Sequence, residues 1–135
     1  MSTYRWSEQY SVNVAALDKQ HRQLFDTINE LDKALKNGDG NSAVGLALSR
    51  LADYSLVHFA AEESLMERHG FPGLPTHRAE HDAFRKKIAA LLADHKAGKP
   101  GVPVLLLFFM QSWLKQHIKK TDKLYSAYLN ARGVR

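Results

Sequence analysis

The sequence predicts an all-α fold, an up-down-up-down antiparallel four-helix bundle entered through an N-terminal arm, and three observations carry that prediction. Apolar residues recur at helical spacing in four separate stretches. Short glycine and proline clusters divide the stretches, and short connections between long helices make neighbours antiparallel. Strand patterns are missing: Val102 to Met110 is apolar enough to imitate a buried strand, but it runs on to Asn130 without a turn signal and reads as helix. A chain of 135 residues, 44% of them hydrophobic, suits one domain over 1–135 that buries its own core.

The arm covers about 1–17 and contains Trp6, Tyr10, Val12 and Val14. A first helix over about 18–37 takes Asp18 as its N-cap and carries Leu24, Phe25, Ile28, Leu31 and Leu35 on one stripe, with His21 on the same stripe. Gly38-Asp39-Gly40 ends it. A second helix over about 42–69, capped by Ser42, shares Leu51, Ser55, His58, Glu62 and Leu65 on one face. After the breaker cluster Gly70-Phe71-Pro72-Gly73-Leu74-Pro75, Thr76 caps a third helix over about 76–97 with His77, His81, Phe84, Ile88 and Leu91 on one side. Beyond Gly98-Lys99-Pro100-Gly101, Pro103 suits the first turn of a last helix over about 103–130, whose inner face carries Met110, Trp113, Leu114, His117, Ile118 and Tyr125.

Composition removes several functions. With no cysteine there are no disulfides, thiolate metal sites or cysteine nucleophiles, and any metal must be held by nitrogen and oxygen. The first residues lack the apolar core of a signal peptide and no apolar run reaches membrane-spanning length, so the expectation is a cytoplasmic protein with no membrane partner. A net charge of +5 invites a nucleic-acid reading, but acids are interspersed among the basic residues. The densest clusters, Arg85-Lys86-Lys87 and Lys119-Lys120, read as solvated helix faces, and no nucleic-acid partner is expected. No nucleophile motif orders serine, histidine and acid, and no glycine-rich phosphate loop occurs.

The histidines and two of the acids stand out instead. His21, His58 with Glu62, His77 with His81, and His117 with Asp122 fall on the inward stripes of four helices. Residues four apart lie one turn apart on the same face, so His58 and Glu62, or His77 and His81, can grip one centre. One such pair is a weak signal, since most core histidines are simply hydrogen-bonded. Seven such positions on four stripes are a strong one. Ionised carboxylates are rarely buried without a compensating cation, and no lysine or arginine shares the stripes of Glu62 and Asp122, so a metal is the natural counter-charge. His117 and Asp122 are five apart, roughly 140° on an ideal helix, which leaves two alternatives: a carboxylate reaching in from the flank or a local π-bulge.

These residues resemble the hemerythrins, in particular their single-domain bacterial form, a family whose members include four-helix bundles such as myohemerythrin. The resemblance runs from Trp6 through Leu17-Asp18-Lys19-Gln20-His21, His58-Phe59-Ala60-Ala61-Glu62-Glu63, His77-Arg78-Ala79-Glu80-His81 and His117-Ile118-Lys119-Lys120-Thr121-Asp122 to Tyr125. It implies a non-haem di-iron site that binds dioxygen reversibly, as carrier, store or local buffer rather than as an enzyme. His77, His81 and His117 would hold one iron, His21 and His58 the other, with Glu62, Asp122 and an oxo or hydroxo group bridging them. That donor set leaves one position of two octahedral irons open, on the iron held by His21 and His58. The alternatives are a di-iron redox enzyme, reducing peroxide or nitric oxide or oxidising ferrous iron, and an oxygen sensor. A histidine-rich set favours the ferrous state more than the carboxylate-rich Glu-x-x-His sites of ferritin-like enzymes do, which favours the carrier.

Around the open position the expected apolar lining is Trp113, Leu114, Leu24, Phe25, Phe59 and Ile118, with Leu114 the most pointed choice. His69 and His95 fall near helix C-termini and read as capping or surface residues. Glu63 and Glu80 adjoin ligands in sequence and are expected to face solvent, while Gln20 and Tyr125 are candidates for contacts behind the ligands. The expected assembly is a monomer that serves an oxygen-consuming recipient the sequence does not identify.

Overall fold

The computed structural model describes residues 4–135. A single turn of 3-10 helix, Glu8–Tyr10, precedes α1 (Ala15–Lys36), α2 (Gly40–Arg68) and α3 (Leu74–Lys96). The fourth rod is composite: α4 (Val102–Trp113), a π-helical stretch (Leu114–Thr121) and α5 (Lys123–Asn130). Helix α1 packs on α2 and α4, and α3 packs on α2 and α4, which closes the four-helix bundle. Among the described residues there is no strand, and no helix is long and apolar enough to cross a membrane.

Three helices begin earlier than the polar side chains in their first turns suggest. Helix α1 starts behind Val14, whose extended backbone makes no side-chain cap. Asp18 lies inside the first turn instead and draws the arm back onto it, accepting the Val12 N–H at 2.8 Å and the Ser11 hydroxyl at 2.6 Å. Ser42 does not cap α2: the helix opens behind Asp39, and the Ser42 hydroxyl donates to the Asp39 carbonyl at 2.9 Å. Thr76 is likewise inside α3, which starts at Leu74 with Pro75 in its first turn, where a missing N–H costs no helical bond. Pro103 occupies the expected first-turn position of α4.

The helix ends follow the glycines. Past α1, Gly38 adopts φ +79° and donates to the Leu35 carbonyl, while Asp39 donates to Ala34 at 2.7 Å. This is a Schellman motif, and the same pair of bonds recurs around Gly70 and Gly98. The buried side chains then form two apolar clusters. The larger includes Leu24, Ile28, Leu48, Phe84, Leu106 and Met110, and the smaller joins Val12, Leu17, Met66, Tyr125 and Leu129. On α1 and α3 the ionisable residues fall between those of the two clusters, and on α2 and the fourth rod they overlap the end of the larger one, which contributes Phe59 and Ile118 among them.

A buried five-histidine, two-carboxylate centre

All seven singled-out ligand residues are buried, and all seven meet in one layer. Helix α1 supplies His21, α2 supplies His58 and Glu62, α3 supplies His77 and His81, and the fourth rod supplies His117 and Asp122. The five-residue spacing on that rod is resolved by π geometry: the Asp122 N–H donates to the His117 carbonyl at 2.8 Å, a bond spanning five residues. The widened turn brings the two side chains onto one face, with His117 Nε2 2.9 Å from Asp122 Oδ1.

The ligand-type atoms fall into two groups, His77, His81 and His117 with both carboxylates, and His21 and His58 with the same two carboxylates. Within each group the atoms lie within 4.8 Å of one another. Asp122 faces both ways, its Oδ1 2.9 Å from His77 Nε2 and its Oδ2 3.1 Å from His21 Nε2. Glu62 Oε1 lies 3.1 Å from His58 Nε2 and 3.3 Å from His81 Nε2. Its Oε2 accepts the Tyr125 hydroxyl.

Closeness here is not hydrogen bonding. Nε2 of His21, His77, His81 and His117, Oε1 of Glu62 and both oxygens of Asp122 are buried without a hydrogen-bond partner. Buried polar atoms are ordinarily satisfied, and leaving each one unpaired costs about 1–3 kcal/mol. The other ring nitrogens explain the pattern. Nδ1 of His58, His81 and His117 meets oxygens of Gln20 at 2.5 Å, Glu63 at 2.7 Å and Glu80 at 3.1 Å. With the proton on Nδ1, each Nε2 presents a bare lone pair to carboxylate oxygens, an arrangement that repels unless a cation lies between them. The residues present therefore fit a pair of metal ions.

The protonation tendencies of the chain alone express the same need. Burial lowers the His21 pKa, but polar contacts with Asp122 and Glu62 and their negative charges win, pushing it up to about 10. His117 is also raised: its burial is outweighed by the charge of Asp122. For His58 burial prevails and the pKa falls. Burial would raise Glu62, yet the charge on His58 and contacts with the surrounding imidazoles hold it well below the usual carboxylate range. Asp122 is lowered too, its burial and the charge of Glu62 overcome by His117 and His21. Protons on histidines do what a metal would do.

Of the six expected apolar lining residues, Phe59 lies flat on His81, ring centroids 3.7 Å apart, and Trp113 stacks on His117 at 3.9 Å. Both therefore wall the three-histidine side. Leu24 lines a pocket of about 310 Å³ between α1 and α2 that reaches Gln20, Tyr54 and His58 on the two-histidine side. Phe25 meets Trp6 and Tyr10 beneath the arm, and Leu114 and Ile118 are buried in the larger apolar cluster. His69 is the C-cap residue of α2 and His95 lies in the last turn of α3, both apart from the layer.

Glu63 and Glu80 do not face solvent freely. Each is rotated by only about 100° from its ligand neighbour, which lands it on the flank facing the next helix and not on the outer face. There Glu63 reaches His81 and Glu80 reaches His117. The sequence signal for these contacts is the pairing of an acid on one helix with a ligand-type histidine on the next. Tyr54 is a further neighbour of the centre that helical spacing did not single out: it stacks on His58 at 4.8 Å, and its hydroxyl is buried without a hydrogen-bond partner.

The family model for the hemerythrin HHE cation binding domain matches residues 12–129. The chain belongs to the hemerythrin family. Bacteriohemerythrin from Methylococcus capsulatus is 35% identical over 97% of this chain and 100% of that protein. Bacteriohemerythrin from Stenotrophomonas maltophilia is 30% identical over 97% of this chain and 84% of its own length. A solved wild-type hemerythrin superposes with a TM-score of 0.85 at 34% identity, covering 95% of this chain and 98% of that one.

Proposed function

We propose that this hemerythrin binds dioxygen reversibly at a pair of non-haem irons, as a carrier, store or local buffer. The observation that carries the reading is the convergence of unpartnered Nε2 and carboxylate atoms into two unequal groups that share Glu62 and Asp122. His77, His81 and His117 would hold one ion and His21 and His58 the other, with Glu62 and Asp122 within reach of both. A pair of irons so held would supply two electrons to dioxygen, one from each ion, and take them back on release. The two-histidine side has one protein donor fewer, and that deficit is the place for an external ligand.

The remaining side chains serve retention rather than turnover. Phe59 and Trp113 brace the ligand rings of His81 and His117 by stacking, and with Leu24, Phe25, Leu114 and Ile118 they surround the layer with apolar surface that keeps out water and protons. Tyr125 steadies Glu62 through its hydroxyl, and Gln20 fixes the His58 ring. Neutral imidazoles favour ferrous iron, which suits binding more than oxidation. The protein acts as a single-domain cytoplasmic monomer, with dioxygen as its partner and an oxygen-consuming protein as recipient.

The test is the visible absorption of iron-loaded, anaerobically reduced protein as oxygen is admitted and then stripped away. A charge-transfer band that rises and falls with oxygen is the expected result. Irreversible oxidation on the first exposure would move the protein to redox enzymology, and no oxygen-dependent band would overturn the assignment.

A further inference from the structure

The two halves of the centre differ in what stands behind their imidazoles. On the three-histidine side, His81 Nδ1 lies 2.7 Å from the Glu63 carboxylate and His117 Nδ1 lies 3.1 Å from that of Glu80. On the other side, His58 Nδ1 meets only the neutral amide oxygen of Gln20, and His21 Nδ1 is buried with no hydrogen-bond partner. Both glutamates are themselves held in place. Arg78 and Arg85 lie 3.3 and 3.6 Å from Glu63, and the Thr121 hydroxyl donates to Glu80 at 3.1 Å.

We infer that Glu63 and Glu80 are positioning residues that grade the centre: they make the three-histidine position the tighter one, favouring the more highly charged ion, and leave the two-histidine position easier to empty. An imidazole whose N–H is given to a carboxylate is a more basic ligand through its other nitrogen than one given to an amide. The added negative charge, one ring away from the metal, also favours a higher charge on that metal. Of the pair, Glu63 is the stronger lever. Its contact is shorter, and its side chain is 17% exposed against 36% for Glu80, so solvent screens it less. The grading adds to the unequal ligand count, and it lets an incoming ligand meet the more labile ion at a position whose neighbour stays fixed.

This inference rests on the two-metal reading of the site but not on dioxygen as its ligand. Its test is titration of metal-free protein with cobalt(II), following both heat and the visible d–d bands. The expected wild-type result is two unequal steps, the first with the spectrum of the donor-richer site. Glu63→Gln keeps a hydrogen-bonding oxygen but removes the charge, and it weakens the first step by about 10–100-fold while shifting that step's bands. Glu80→Gln does the same to a smaller extent. Neither moves the second step, and Gln20→Glu tightens the second step alone. Equal steps in the wild type, an unaltered first step in both glutamine variants, or both steps weakening together would overturn the inference. Graded cobalt binding in a protein whose iron form takes up no oxygen would sink the proposed function and leave the grading intact.

Discussion

The apolar clusters and the ionisable layer that lies between them solve the problem of burial in opposite ways. In the larger cluster Leu48, Phe84 and Leu106 are fully buried, and every contact they need comes from other side chains of the same chain. In the layer, His21, His81, Glu62 and Asp122 are buried as completely, yet their inward atoms have no hydrogen-bond partner. The first region is completed by side chains of the chain itself, whereas the second leaves atoms of the kind that could hold a metal ion without a partner. Stability should therefore respond to metal in one region and to side-chain volume in the other.

The largest effects come from testing that separation directly. Metal at about a thousand times its dissociation constant should raise unfolding stability by about 4 kcal/mol. Asp122→Ala should erase this increment. Leu48→Ala should cost about 2–5 kcal/mol through lost burial and a residual cavity, with the metal increment preserved. Denaturant unfolding of loaded and metal-free forms, followed by helical circular dichroism, measures all three. A metal increment lost in Leu48→Ala would mean the two regions are one cooperative unit after all.

Acidity sharpens the comparison, because the shifted histidines and carboxylates all lie in the layer. In the metal-free chain His21 holds a proton up to about pH 10, and His117 is raised as well. The stabilisation from a raised pKa is complete below the unfolded value and lost as pH climbs through the folded one, so metal-free protein should weaken toward pH 10. Glu62 and Asp122 are depressed, and their contribution is present above the ordinary carboxylate range and lost as pH falls through it and below. Metal takes the place of the protons. Loading at pH 7 should release them, seen as a heat that varies with the ionisation enthalpy of the buffer, and the loaded form should lose its alkaline weakness. A buffer-independent heat would mean the histidines are already neutral.

The same contrast explains what could be read in advance. Helical periodicity identified four rods, because core stripes repeat regularly. The seven ligand types on inward stripes identified the layer, because burying that many ionisable groups without a cation would be too costly for a stable core. Even the five-residue interval from His117 to Asp122 pointed to a π turn as one of two ways to realign the pair. Helix starts were less legible. Asp18, Ser42 and Thr76 are good capping types, but at α1 the arm uses Asp18 as an anchor, and α2 and α3 open earlier at backbone turns. Glu63 and Glu80 were misjudged because one-residue offsets reach the flank between helices, where the neighbouring helix, unknown from sequence, decides between solvent and a histidine.

Smaller changes probe how the apolar surround serves the layer. Leu114 is 3% exposed, lies in the larger apolar cluster and precedes His117 by three residues. Leu114→Ala opens space that water can enter beside the centre. The expected outcome is faster loss of the oxygen-binding form, about tenfold for each ~1.4 kcal/mol removed from the barrier, read from the decay of the oxygen-dependent band. An unchanged decay would remove Leu114 from the pocket wall.

The smallest effect distinguishes the two tyrosines that border the layer with buried hydroxyls. Tyr125 donates its hydroxyl to the Glu62 carboxylate, and hydrogen bonds to charged groups contribute about 1.5–3 kcal/mol. Tyr54 stacks on His58, but its buried hydroxyl has no partner, so the group carries the cost of lost hydration with no bond in return. Tyr125→Phe should therefore destabilise the protein, and Tyr54→Phe should be neutral or slightly stabilising. Thermal unfolding of the two variants side by side checks this. Equal losses would mean that the Tyr54 hydroxyl finds a partner in solution, a water in the α1–α2 pocket or a ligand at the two-histidine position, and the division between self-completed and ligand-completed burial would then extend one turn further along α2 than the side-chain contacts place it.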